Sequence, residues 1–533
     1  MFSRTISLLK NTFTRPFIWS FILLTLYLWM LFFFQSVACD ISMTVFFFIM
    51  LLLGSIALSF LWLKAFSGRI PKLDGYAAHQ KNSPLWGAAA FLITLFIFMI
   101  YFMGQYPGGM TQDTISQYSQ AVGDMGYTDW HPALHTLLFF TLPMLVWRNL
   151  GWIVFLQLLY FSLAFGYLIY VLHSNRCPTW LLAALCAYIW INPFMSTYMM
   201  NPWKDIGQTI FAIILMAYYV QIVCSKGEWL CKKKNLIVFS VVAVVCAYMR
   251  HNAILFVAPL VLLALFYALK NRWKLRAIAL AVMIVCFCLV KVLYVALDVE
   301  APGDRTVETV GLPVTIWCNV MQKNPEALPE ETREYLYTIA TPEAYQNEYS
   351  SGNFNSIKYS PAMDTSQIEA LSYGEVFQYT LQCFRYAPRE SLEALAKLTD
   401  QVWGIVGSEW PAAVTIDENK YGIAAAPVPG IDGFVHQIQS LYSVGVGRVL
   451  FGSIGMQLLA MLAAALLLLA KRRTAFVHII PLFCYDFGTM LLLSGPDYRF
   501  FLLNIPLWMP VLFVMLKDDK TFESRSARKS QIG

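Results

Sequence analysis

Between Gln105 and Trp147 the chain reads QYPGGMTQDTISQYSQAVGDMGYTDWHPALHTLLFFTLPMLVW, placing Asp113, Asp124 and Asp129 ahead of His131 and His135 with no lysine or arginine. Carboxylates at such positions are candidate proton acceptors. Three further polar clusters stand beside long apolar runs: Lys204-Asp205, Arg250-His251-Asn252 and Asp497-Tyr498-Arg499. Lysine and arginine suit a phosphate, arginine in a bidentate manner. Charges next to membrane-length apolar segments are costly unless paired or wetted, so several that converge on one membrane face imply a polar cavity. The chemistry this predicts is proton abstraction beside a bound phosphate.

Each residue also has a plainer reading. Asp113, Asp124 and Asp129 are also explained as solvated loop acids, and His131, ahead of Pro132, as a cap. Lys204 and Asp205 read equally as an ion pair anchoring a helix end. Arg250 reads as an interfacial side chain or the partner of an acid, and Arg499 as the partner of Asp497. Asp486 lies inside an apolar run, where a hydrogen bond to Gln157 or Asn192 is expected. Arg448 and Lys291 are expected to snorkel. Most of the eleven cysteines sit in apolar runs as small hydrophobes. No cysteine–histidine spacing of the metal-binding kind occurs. Cys318 and Cys383, in the largest polar region, are a candidate disulfide if that region is extracellular.

The elements that must position these residues follow from composition. Hydrophobic residues make up 58% of the 533 residues and charged ones 13%, with a mean hydropathy of +0.57. Soluble chains carry about 25% charge, so the expected class is an all-α polytopic membrane protein. A nucleic-acid-binding role is not expected. Apolar runs at 17–37, 42–65, 86–104, 151–172, 179–199, 206–224, 235–249, 253–270, 276–297, 444–470, 474–494 and 500–517 predict about 12 transmembrane helices. The first follows basic residues and is too long for a signal-peptide core, which predicts a retained helix with a cytoplasmic N-terminus.

Sidedness turns on His131–Trp147, about 17 residues interrupted by Pro132 and Pro143. If it does not cross, then KAFSGRIPK, HSNRCP, SKGEWLCKKK, KNRWKLR, KRR and the tail all lie on the cytoplasmic side, and each is basic. If it crosses, the positive-inside rule fails through the following half. The polar segment 298–440 holds 20 acids and 8 bases, leaving 12 and 30 for the rest. It is therefore placed outside. The predicted organisation is a membrane module at 1–297 with helices 1–9 and an outer loop at 105–150. An extracytoplasmic domain at 298–440, mixed but mainly helical, comes next. Helices 10–12 at 441–517 and a cytoplasmic tail at 518–533 complete it, with both termini cytoplasmic in a cell-membrane protein.

Within the outer loop, Asp113, Gln117, Gln120 and Asp124 share one helix face, and Ile115, Tyr118 and Val122 the other. That pattern predicts an interfacial helix lying on the bilayer. Gly108-Gly109 permits a sharp turn before it.

An acid soon after an early membrane exit, followed by DWHPALHTLL, resembles the membrane glycosyltransferases of the GT-C superfamily. The protein O-mannosyltransferases and lipid A aminoarabinose transferases look nearest, and DWHPALHTLL is similar to the HPPL segment of the former. NPFMSTYMMNPWKDIG and DYRFFLLNIPLWMPVLF look like later segments of the same module. A set of Gram-positive membrane proteins of this type is also similar and leaves the acceptor open. The resemblance spans most of 86–517 and implies transfer of a sugar from a polyprenyl-phosphate donor to an extracytoplasmic acceptor, a cell-envelope glycan or a protein. It implies Asp113 as catalytic base. The second acid is left unassigned, with Asp124 and Asp129 as candidates, and Lys204, Arg250 and Arg499 are candidates for the donor phosphate by position. His131, His135, Asp205, His251, Asn252, Asp497 and Tyr498 support them. A divalent metal on Asp113 is optional, and no metal ligands are assigned. The chain departs from the family pattern at Thr114, where a second acid is common, at Ala133, and in two extra spans before residue 86. The alternative reading is a transporter or flippase of a lipid-linked or anionic substrate. Polar groups gathered at one face, without repeated halves, favour the enzyme.

Overall fold

The computed structural model describes residues 15–41, 44–66, 83–267, 269, 272–303, 306–405, 414–442 and 445–518. The basic segment ahead of Arg15, residues 67–82, the first two residues of KNRWKLR and the residues beyond Asp518 lie outside the described residues. The described residues are built from helices, and no strand occurs among them.

Two long helices, α1 (Arg15–Ala38) and α2 (Val45–Phe66), lead into α3 (Leu85–Gly104). The outer loop then supplies α4 (Gln112–Val122) and α5 (Ala133–Met144). Next come α6 (Leu150–Ser174), α7 (Thr179–Trp190), α8 (Pro193–Tyr198), α9 (Lys204–Cys224), α10 (Lys233–Met249), α11 (His251–Phe266) and α12 (Trp273–Ala296). Four principal helices build the polar region: α13 (Gly311–Lys323), α14 (Glu330–Ile339), α15 (Tyr373–Tyr386) and α16 (Pro388–Trp403). The chain closes with α17 (Ile431–Tyr442), α18 (Gly445–Gly452), α19 (Ile454–Ala470), α20 (Ile480–Met490) and α21 (Asn504–Lys517).

Among the described residues, seven helices are long and apolar enough to cross a membrane, or eight if the bent pair α18–α19, at 58°, is one span. Several predicted spans are broken for local reasons. Run 179–199 ends as a helix at Trp190, where Asn192 caps the new turn of α8 by accepting from Phe194 N (3.0 Å) and Met195 N (3.2 Å). Run 474–494 divides into a 3-10 turn at Thr474–Ile479 and α20, with Pro481 in its first turn. The His131–Trp147 stretch holds 12 helical residues with a π turn at Leu137–Thr141. At 1.5 Å per residue that is roughly 18 Å, short of the ~30 Å hydrocarbon core.

The polar region has its own apolar core, in which Trp317, Leu336, Tyr345, Phe354 and Cys383 are buried. Cys318 and Cys383 are both free thiols in that core, so the disulfide considered from the sequence is not formed. This region sits tightly on the loop after α20. A Cβ on Gly311 would fall 2.5 Å from Ser494 Cβ, and one on Gly495 would fall 2.5 Å from Asn353 Oδ1. Asn355 N also donates to Ser494 O at 3.2 Å.

Candidate functional site

The turn before α4 uses Gly108 at φ +104, where L side chains are strained. Thr111 precedes the helix in extended conformation, and its hydroxyl accepts from Trp203 Nε1 at 3.0 Å. Asp113 therefore sits in the first turn of α4, at the helix's positive end. The two glutamines of the polar face turn inward rather than to solvent. Gln117 and Gln120 are buried, with Gln117 Oε1 2.8 Å from His135 Nδ1 and Gln120 Oε1 accepting from Thr128 N at 3.3 Å. Tyr118, on the expected lipid face, is also buried and contacts Tyr421. The expectation of a helix lying on the bilayer surface thus gives way to one enclosed by protein, because amide side chains meet partners on α5 and its approach loop.

Around Asp113 the structure gathers cations from three distant segments. Arg499 Nη1 donates to Asp113 Oδ2 at 3.0 Å and Arg499 Nε pairs with Asp497 Oδ2 at 2.6 Å. Asp497 Oδ1 also accepts from Arg499 N at 3.0 Å, fixing the turn. His131 Nε2 lies 3.9 Å from Asp113 Oδ1, and its Nδ1 accepts from Lys204 Nζ at 3.0 Å. A donating ammonium leaves the His131 proton on Nε2, facing Asp113. Burial and then the Lys204 charge push the His131 imidazole down to about 3, so it is neutral at physiological pH. Burial works to raise the Asp113 carboxyl, but Arg499, Lys204 and His131 together hold it well below the usual carboxylate range.

Arg250 bonds to Asp205 and reaches Tyr485 Oη and Phe500 O, each at 3.4 Å. Its guanidinium lies 4.4 Å from the centre of the Phe500 ring. Lys204 and Asp205 thus serve different partners instead of each other. Asn252 Nδ2 donates to Thr489 Oγ1 at 2.8 Å, and His251 Nε2 lies 3.1 Å from Asp129 O.

Asp113, His131, Lys204, Arg250, His251, Asn252 and Arg499 line one cavity of about 300 Å³. Its roof comes from the polar region, through Glu308, Thr309, Asn355 and Tyr359, and its rim includes Trp130, Thr489 and Ser494. Arg250 and His251 also border a lateral apolar cleft of about 530 Å³ between α10, α11 and α12. Lys291, expected to snorkel, lies along that cleft within 6 Å of the Tyr248, Phe287 and Tyr294 ring centres.

Other sequence candidates lie elsewhere. Asp124 is exposed and is bound by Lys420 Nζ and Tyr421 Oη, each at 2.9 Å. Asp129 accepts from Ala133 N at 3.1 Å, ahead of α5, and borders the lateral cleft. Neither lines the Asp113 cavity. Tyr498 points away, stacking on Phe194 and Tyr198. His135 stacks on Phe139 beneath α4. Asp486 bonds Asn504 Nδ2 at 2.6 Å, not the expected Gln157 or Asn192. Gln157 instead serves the Met199 and Asn201 carbonyls. The roof residues escaped sequence reasoning. Glu308 is one acid among 20 in its region, and nothing in its spacing marks it.

The described residues contain no group of three or more His, Cys, Asp or Glu placed to hold a metal. A divalent ion at Asp113 would face Arg499 and Lys204, so the set fits an anion rather than a cation.

Residues 127–367 match a family of unknown function (DUF6020). That stretch carries His131, Lys204, Arg250 and the roof, but not Asp113 or Arg499. No curated protein and no solved structure matches the chain.

Proposed function

We propose that the protein is an integral membrane glycosyltransferase that moves a sugar from a polyprenyl phosphate to an extracytoplasmic acceptor. The observation that carries this reading is the junction of two cavities at Arg250 and His251, one charged and one apolar and lateral. An amphiphile with an anionic head and a long hydrocarbon tail has that division of chemistry. The tail lies in the cleft of α10–α12 and the phosphate meets Lys204, whose ammonium donates to a neutral histidine rather than a carboxylate. Arg250 and Arg499 complete the cationic side.

In the transfer step the acceptor hydroxyl gives its proton to Asp113 while its oxygen bonds to the anomeric carbon. The bond from that carbon to the phosphate oxygen breaks, and the electron pair leaves with the polyprenyl phosphate. A resting Asp113 held by Arg499 is a weak base. A phosphate that engages Arg499 loosens that hold and raises the proton affinity of Asp113 when the donor is in place. In this proposal the chain crosses the cell membrane about 12 times, the shorter helices crossing with their neighbours. Both termini are cytoplasmic and 298–440 is outside, as the basic loops require.

The test is transfer of radiolabel from a polyprenyl-phosphate sugar by the purified chain. Asp113→Asn is expected to lower turnover by about 10²–10⁴-fold with expression and helical content kept, and Lys204→Met to raise the KM for the donor. Full turnover by Asp113→Asn removes it as the base. Vesicle uptake without covalent product favours a transporter instead.

A further inference from the structure

The roof of the cavity carries chemistry that neither the phosphate nor the lipid uses. Tyr359 is 79% exposed at its edge, and Trp130, from the outer loop, is 40% exposed on the same rim. The Lys358 ammonium stands 5.2 Å from the Tyr359 ring centre, and the ring area that stays exposed beside the polar cavity offers an apolar face to a ligand. The same cavity also carries planar hydrogen-bonding groups. One Glu308 oxygen is bound by Lys358, and the other has no partner among the described residues. Asn355 uses its backbone N–H on Ser494 O, and its side-chain amide bonds to no other described residue.

We propose that this rim is a carbohydrate subsite that holds the acceptor glycan. A pyranose ring presents a flat C–H face, which packs on aromatic rings, and an edge of vicinal hydroxyls, which suits the paired atoms of a carboxylate and an amide. Tyr359 and Trp130 supply the first kind of surface, Glu308 and Asn355 the second. The Lys358 ion pair fixes the Glu308 carboxylate, and the close approach of Gly311 and Gly495 fixes the roof above Asp113. The rim's place as the acceptor side rests on the glycosyltransferase reading; its capacity to bind sugar does not.

The experiment titrates the full chain in nanodiscs with cellohexaose, maltohexaose, chitohexaose and a Ser/Thr-rich peptide. A separate titration uses a polyprenyl phosphate. Stacking reads the ring face more than the hydroxyl pattern, so at least one oligosaccharide is expected to bind in the millimolar range or tighter. Tyr359→Ala and Glu308→Gln are each expected to weaken it roughly ten-fold, a loss of about 1.4 kcal/mol, while Tyr359→Trp retains it and polyprenyl-phosphate binding is unchanged. Failure of all three oligosaccharides overturns the subsite, as does peptide binding that Tyr359→Ala abolishes. Polyprenyl-phosphate binding without oligosaccharide binding sinks the subsite and leaves the donor site standing. Oligosaccharide binding with no polyprenyl-phosphate binding does the reverse.

Discussion

Arg499 ties the two halves of the site together, since one guanidinium faces both Asp113 and Asp497. Its removal has a signed consequence. Burial raises the Asp113 carboxyl, and the Arg499 charge is the largest force against it. In the parent, Asp113 stays ionised far into acid. In Arg499→Gln the burial is less opposed, the carboxyl rises, and a larger fraction is protonated at any given acidic pH. The acid limb of transfer activity is therefore expected to move to higher pH, with a fall in rate at every pH from the weaker phosphate site. An unmoved limb would show that Asp113 is not the titrating base. His131 supplies a complementary expectation. Its pKa, down to about 3 in the folded chain, lies below the ordinary value of about 6.5, so the unfolded chain binds the extra proton between those values. Folding stability from this residue is present above about 6.5 and lost as the pH falls toward 3. Denaturation of the His131→Gln variant followed against pH is expected to show a shallower loss across that window.

At the level of elements, the position of Asp113 depends on α4 being enclosed, and the position of the roof on two close backbone approaches. Gly311→Ala would press a methyl against Ser494, at a cost of about 1–3 kcal/mol, and would shift the roof relative to Arg499. The expected outcome is a lower midpoint of thermal unfolding together with weaker acceptor use, at unchanged polyprenyl-phosphate binding. These elements also mark how far the residues alone could be read. Asp113, His131, Lys204, Arg250 and Arg499 were legible because a charge beside an apolar run must find a partner. The inward turn of α4 was not, because a helix with glutamines on one face satisfies the pattern of a surface helix equally well. Its enclosure depends on His135 and Thr128, and no periodicity reports such tertiary partners. Glu308, Asn355 and Tyr359 were hidden for a related reason, since in a polar segment nothing separates a roof residue from a solvated one. The broken spans at Asn192 and Pro481 follow from local capping and proline chemistry, but apolar content alone reads straight through them.

For the whole molecule, everything depends on the cavity facing the compartment in which lipid-linked sugars present their heads. The basic loops carry that assignment. Lys232–Lys234 opens α10 and Asp124 follows α4, and the short α5 puts these two on opposite sides only if it does not cross. Each can be replaced by cysteine and compared with the parent chain, whose native Cys39 is exposed. In intact cells a membrane-impermeant maleimide is expected to add label at Asp124→Cys above the parent level and none at Lys234→Cys. Permeabilised cells should label both. The reverse pattern would turn the acidic region and its roof to the cytoplasm, where neither the acceptor glycan nor a lipid-linked donor head would meet Asp113. The arrangement of charges would then need a cytoplasmic anion to explain it. The labelling result therefore decides between an envelope enzyme and a protein whose polar cavity serves the cell interior.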